Sequence, residues 1–114
     1  MADAWSVYVV RRDDGALYTG IATDVTRRLA EHEAGEGRGA KALRGRGPLT
    51  LLLEHELGDR GLAQRVEAGI KRLSKARKEI WLHEGTLVAR VLERLGADDA
   101  DESGGGEAGD EDAD

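Results

Sequence analysis

The sequence predicts an α+β domain built on a three-stranded antiparallel sheet, and three observations predict it. Two short runs rich in β-branched residues, Val7-Tyr8-Val9-Val10 and Leu17-Tyr18-Thr19-Gly20-Ile21, flank the turn sequence Asp13-Asp14-Gly15 and read as a hairpin. A third apolar run, Leu49 to Glu56, ends just before Gly58-Asp59 and supplies the strand that completes the sheet. Leu62, Val66, Ile70 and Leu73 then recur at helical spacing, so a helix follows that strand.

The hairpin carries the first functional signal. Side chains alternate between faces along a strand. Tyr8 and Tyr18 share a face only if Arg12 pairs with Ala16. A three-residue Asp13-Asp14-Gly15 loop with Gly15 in the left-handed region gives that register. Tyr8 then lies opposite Gly20 and Val10 opposite Tyr18. Gly20 is expected to leave open space beside one phenol, next to the second. Two hydroxyls converging beside a gap suit a site better than a core.

The next segment, Val25 to His32, has Thr23 or Asp24 as its N-cap. On a helical wheel with Val25 at the origin, Leu29 falls at about 40°, His32 at about 340° and Arg28 at about 300°. Arg28 and His32 therefore border the buried stripe and can act together. Arg27, at about 200°, points to solvent. Lys41 to Pro48 is a basic, glycine-rich loop. On the next helix Glu67 lies at the rim of the apolar stripe. Ser74 is placed to cap a helix from Lys75 to His83, and Thr86 to Leu95 fits an amphipathic helix or a strand.

Composition bounds what the chain can do. Of its 114 residues, 1–96 form one domain and 97–114 an acidic, glycine-rich tail. The tail holds nine Asp and Glu and no Lys or Arg, with Gly104, Gly105 and Gly106 among them. Having nothing to bury, it is expected to be disordered. The chain carries −6 overall, so without those nine acids residues 1–96 carry +3. A basic domain with an acidic tail suits a nucleic-acid binder whose tail competes for its own basic face, although a solubilising tail has the same composition. The absence of cysteine excludes disulfides, thiol nucleophiles and thiolate metal sites. No histidine pair has zinc-ligand spacing. With no signal peptide and no long apolar run, a cytoplasmic protein without membrane contact is expected.

The order of these parts resembles the GIY-YIG nuclease superfamily, and within it the small single-domain YhbQ-like or UPF0213 group. Ser6-Val7-Tyr8 matches the first tripeptide and Tyr18-Thr19-Gly20 the second. Asp24 to Arg28 with Leu29 and His32, the Lys41 to Pro48 loop and Glu67 to Ser74 follow in family order. The likeness runs from about residue 5 to about residue 83. Ser6 stands where the family tripeptide opens with glycine. Glu79 stands near the place where many characterised members have asparagine. The resemblance implies the GIY-YIG fold and a metal-dependent cut of a phosphodiester bond.

It also assigns roles. Glu67 is the implied ligand of one hard divalent cation, Mg2+ or Mn2+, in a largely hydrated shell. Arg28 is the phosphate clamp, its guanidinium a planar fork. Tyr8 or Tyr18 activates water; by analogy with the family the base is Tyr8, with His32 accepting its proton. A free phenol has a pKa of about 10, so making phenolate near neutrality costs roughly 4 kcal/mol, which nearby positive charge must offset. Lys41, Arg44 and Arg46 look like backbone-phosphate contacts. Lys71 heads a second basic cluster with Arg72, Lys75, Arg77 and Lys78, part of which is the polar face of two helices. Trp5 and Trp81 read as packing residues. The expected function is a nuclease of low sequence specificity acting on nucleic acid, DNA rather than RNA. The competing reading is a non-catalytic nucleic-acid-binding or interaction module that retains the fold.

Overall fold

The computed structural model describes residues 3–34 and 48–100, with backbone only for 97–100. It divides into two compact units, residues 1–63 and 64–114. The N-terminal unit contains strand β1 (Trp5–Arg11), strand β2 (Leu17–Ala22), helix α1 (Val25–Ala34) and strand β3 (Thr50–Gly58). Helix α2 (Arg60–Lys71) begins in this unit and ends in the C-terminal one, which also holds helices α3 (Lys75–Glu84) and α4 (Leu87–Ala100).

The sheet is antiparallel with strand order β2-β1-β3. The central strand β1 is buried on both faces: Val7 and Val9 on one, Tyr8 and Val10 on the other. On the Tyr8 face, Tyr8, Val10, Ala22 and Val25 form a cluster against which Tyr18, Leu29 and Leu49 pack. That cluster seats α1 under the sheet. The β1–β3 register shifts by one residue between Val9 and Val10 and again between Trp5 and Ser6. Such bulges strengthen the local twist of an edge strand.

In the C-terminal unit, Val66, Ile70, Leu73, Trp81, Leu87, Val88 and Val91 are buried. Helix α4 approaches α2 closely at Gly69, where an added Cβ would lie 2.7 Å from Val91 Cγ1. Ser74 caps α3 as expected, its hydroxyl accepting from the Arg77 N–H at 3.1 Å. Gly85 ends that helix in the left-handed conformation at φ 76°, and its N–H returns to the Leu82 carbonyl. The segment left open between helix and strand is the helix α4. It continues to Ala100, four residues beyond the expected domain end at 96, because extending a formed helix through Ala97 and Ala100 costs little.

Candidate active site

The hairpin sets the tyrosines as its turn chemistry demands. The Arg12 N–H donates to the Ala16 carbonyl at 2.8 Å, and Gly15 sits at φ 92°. Asp14 Oδ1 accepts from the Ala16 N–H at 3.1 Å, and its carboxylate holds the Arg12 guanidinium. The resulting register puts Tyr8 opposite Gly20 and Val10 opposite Tyr18. The tyrosine rings lie 6.5 Å apart, centroid to centroid, at 42°. One expectation is corrected here. The space beside Gly20 is not open, because the Tyr8 phenol itself occupies it. A Cβ at Gly20 would lie 2.5 Å from the Tyr8 hydroxyl oxygen and 2.6 Å from Cζ. Glycine at position 20 is what lets the phenol lie flat across β2.

Helix α1 brings the histidine to that phenol. Asp24 is the cap: its Oδ1 accepts from the Arg27 N–H at 3.0 Å, and its carbonyl from the Arg28 N–H. Two turns on, His32 is buried, with 1 % of its surface exposed, deeper than the border position read from the wheel. Its Nε2 is 3.4 Å from the Tyr8 hydroxyl, which donates to it when that nitrogen is unprotonated. The His32 ring also meets Tyr18 edge-on, with centroids 6.2 Å apart at 70°. Burial lowers the His32 pKa, Arg28 lowers it further, and Glu31 opposes them. Burial thus favours the neutral imidazole, the form whose unprotonated nitrogen accepts the Tyr8 hydrogen bond.

The two arginines of α1 separate as the wheel implied. The Arg27 side chain is 73 % exposed, whereas that of Arg28 is half-buried. Both reach Glu31: Arg28 Nη1 donates to Oε1 at 3.1 Å and Arg27 Nε to Oε2 at 3.3 Å. This fork lowers the Glu31 pKa. Glu31 escaped the sequence reading, although its spacing of three and four residues from the arginines is the signal for such pairs. Arg28 borders a cavity of about 190 Å³ whose walls include Trp5, Thr23, Asp24 and Glu31. Tyr8, Tyr18 and His32 do not line it.

In the C-terminal unit Glu67 stands half-buried on α2, with 22 % of its side chain exposed and Lys71 Nζ 3.2 Å from its Oε2. Among the described residues no three His, Cys, Asp or Glu gather around a point that could hold a metal. A single carboxylate of this kind fits the magnesium ion, which keeps most of its waters and binds through one or two carboxylates plus substrate phosphate. Lys41, Arg44 and Arg46 lie outside the described residues. Lys78, counted with the polar cluster, is instead buried at 2 % exposure.

The sequence comparisons place the chain in a family. The GIY-YIG catalytic domain family matches residues 4–80. The chain belongs to the GIY-YIG family. The UPF0213 protein YhbQ of Escherichia coli is 48 % identical to it over 91 residues, covering 80 % of this chain and 89 % of that one. A UPF0213 protein of Citrobacter koseri is 53 % identical over the same length and coverage. Among solved structures, the protein EF2693 from E. faecalis superposes with a TM-score of 0.53 at 31 % identity, covering 75 % of this chain and 90 % of that one. The UPF0213 protein BH0048 from Bacillus halodurans gives a TM-score of 0.46 at 39 % identity, covering 70 % and 83 %. The three-stranded sheet and its helices are thus the GIY-YIG domain of a UPF0213 relative. Membership in this nuclease superfamily also implies an interaction with nucleic acid. Among the described residues no helix is long and apolar enough to cross a membrane.

Proposed function

We propose that this GIY-YIG domain is a metal-dependent nuclease that hydrolyses phosphodiester bonds, of DNA rather than RNA, with low sequence specificity. The observation that carries the reading is the buried pair of Tyr8 and His32, 3.4 Å apart, beneath the half-buried Tyr18. A phenol hydrogen-bonded to a neutral imidazole can pass its proton to that ring. Water gives its proton to the Tyr8 oxygen as it attacks phosphorus, the Tyr8 proton passes to His32 Nε2, and the P–O bond opposite the attacking water breaks, its leaving oxygen taking a proton from solvent. Tyr18 orients the water and the phosphate. The Arg28 guanidinium exchanges Glu31 for the phosphoryl oxygens, on which negative charge grows. Glu67 is the residue that would hold a divalent cation, which would supply positive charge to a scissile phosphate. Arg28, Lys71 and the Lys41, Arg44 and Arg46 segment are of the types that grip phosphate, which carries no sequence information. Low sequence specificity follows from that.

The test is incubation of supercoiled plasmid and of a labelled single strand with the protein, in Mg2+ or Mn2+ and in chelator. Cleavage that needs metal and is abolished by Glu67→Ala is the expected result. Binding by both proteins with no product at high protein concentration overturns it, and returns the chain to the binding-module class.

A further inference from the structure

The N-terminal unit holds the tyrosine pair, yet it is nearly neutral. Residues 1–63 carry ten Asp and Glu against nine Lys and Arg. Residues 64–96 carry eight Lys and Arg against four Glu. In the C-terminal unit two of these bases are brought to one aromatic ring. The Arg77 guanidinium lies 5.2 Å from the Trp81 ring centroid and that of Arg90 lies 5.0 Å from it. Trp81 is buried, so the indole is a fixed platform.

From this geometry we infer that Arg77 and Arg90, both stacked on Trp81, form a second contact for the nucleic-acid backbone, separate from the clamp at Arg28. The inference rests on the nucleic-acid partner proposed above, and not on cleavage.

Three features support it. Stacking orders both guanidiniums before any ligand arrives, so less side-chain freedom is lost on binding. Arg90 Nε also donates to Thr86 Oγ1 at 3.2 Å, which fixes the plane of its fork while leaving the Nη groups turned to other partners. The contact with Glu84, 3.6 Å from Arg90 Nη2, joins two half-exposed groups and is weak enough for phosphate to replace.

The test is fluorescence anisotropy of a fluorescein-labelled 20-nucleotide single strand, titrated in chelator over a range of NaCl. Arg77→Gln with Arg90→Gln is compared with wild type and with a charge-matched control, Arg12→Gln with Arg65→Gln. Two lost phosphate contacts should reduce the slope of log K against log salt by about 1.4, at roughly 0.7 per contact on a single strand. The control should keep the wild-type slope to within about 0.5. In a Trp5→Phe background Trp81 is the one remaining tryptophan, and its emission should change as the strand binds. Equal slopes for the two double variants, with Trp81 emission unmoved, overturn the inference. Because chelator removes cleavage from the readout, loss of the nuclease proposal would leave this result standing, and the reverse also holds.

Discussion

Gly20 is the residue whose chemistry is easiest to misread. From the sequence it is a small residue beside a tyrosine; in the fold it is the floor on which that tyrosine lies. Gly20→Ala places a methyl group 2.5 Å from the Tyr8 hydroxyl oxygen. The phenol must shift from its place 3.4 Å from His32, and overpacking of this kind costs about 1–3 kcal/mol. We expect a lowered melting temperature and a cleavage rate reduced about 100-fold, measured on plasmid at saturating metal. A variant as active as wild type would show that the position of the phenol does not matter. His32 makes a separate prediction through pH. Its pKa is lowered in the fold, so the unfolded chain takes up the proton first and stability falls as pH drops through the ordinary histidine value of about 6.5. His32→Gln should flatten the stability profile between about pH 7 and 5, read as urea midpoints. An unchanged slope would assign it to other groups. The tyrosine register was legible because a three-residue turn with glycine third leaves few alternatives. The burial of His32 was not, since a wheel gives a direction around the helix and not a depth.

At the scale of elements, short-range signals read well and helix-to-helix relations did not. Ser74 is recognisable as a cap from its place before an apolar-periodic segment, and the structure gives it that bond. Ser74→Ala should cost about 1 kcal/mol. For a domain of this size that is a fall of about 4–8 °C in melting temperature, measured by circular dichroism. No fall would mean that the α3 N-terminus is held by tertiary packing alone. The helical state of α4 was undecided because its apolar residues fit both periods, and packing decided it, with Val91 lying against Gly69. The meeting of Arg77 and Arg90 on Trp81 was invisible for the same reason. It needs α3 and α4 to turn back on each other at Gly85, and residue spacing within one helix holds no trace of that. Lys78 shows the converse error. Its neighbours suggested a polar face, yet position within α3 turns it to the buried side.

For the whole molecule the governing quantity is charge. Its sign is set by the C-terminal segment, as −6 overall conceals a positive part. Residues 101–114 hold seven acids and no base, so removing them changes the chain from −6 to +1. We expect affinity for a labelled oligonucleotide to rise about threefold or more at low salt, and the gain to vanish as salt screens it. Equal affinity across the titration would make those acids a solubility device. The central claim is nonetheless local: a proton moves from attacking water through Tyr8 to His32. Single-turnover cleavage of a labelled strand at saturating metal by Tyr8→Phe and Tyr18→Phe tests it most directly. Tyr8→Phe should lose about 100-fold or more in the rate of the chemical step, while Tyr18→Phe loses much less and weakens substrate binding instead. Full activity in Tyr8→Phe, or the larger loss in Tyr18→Phe, would contradict the account.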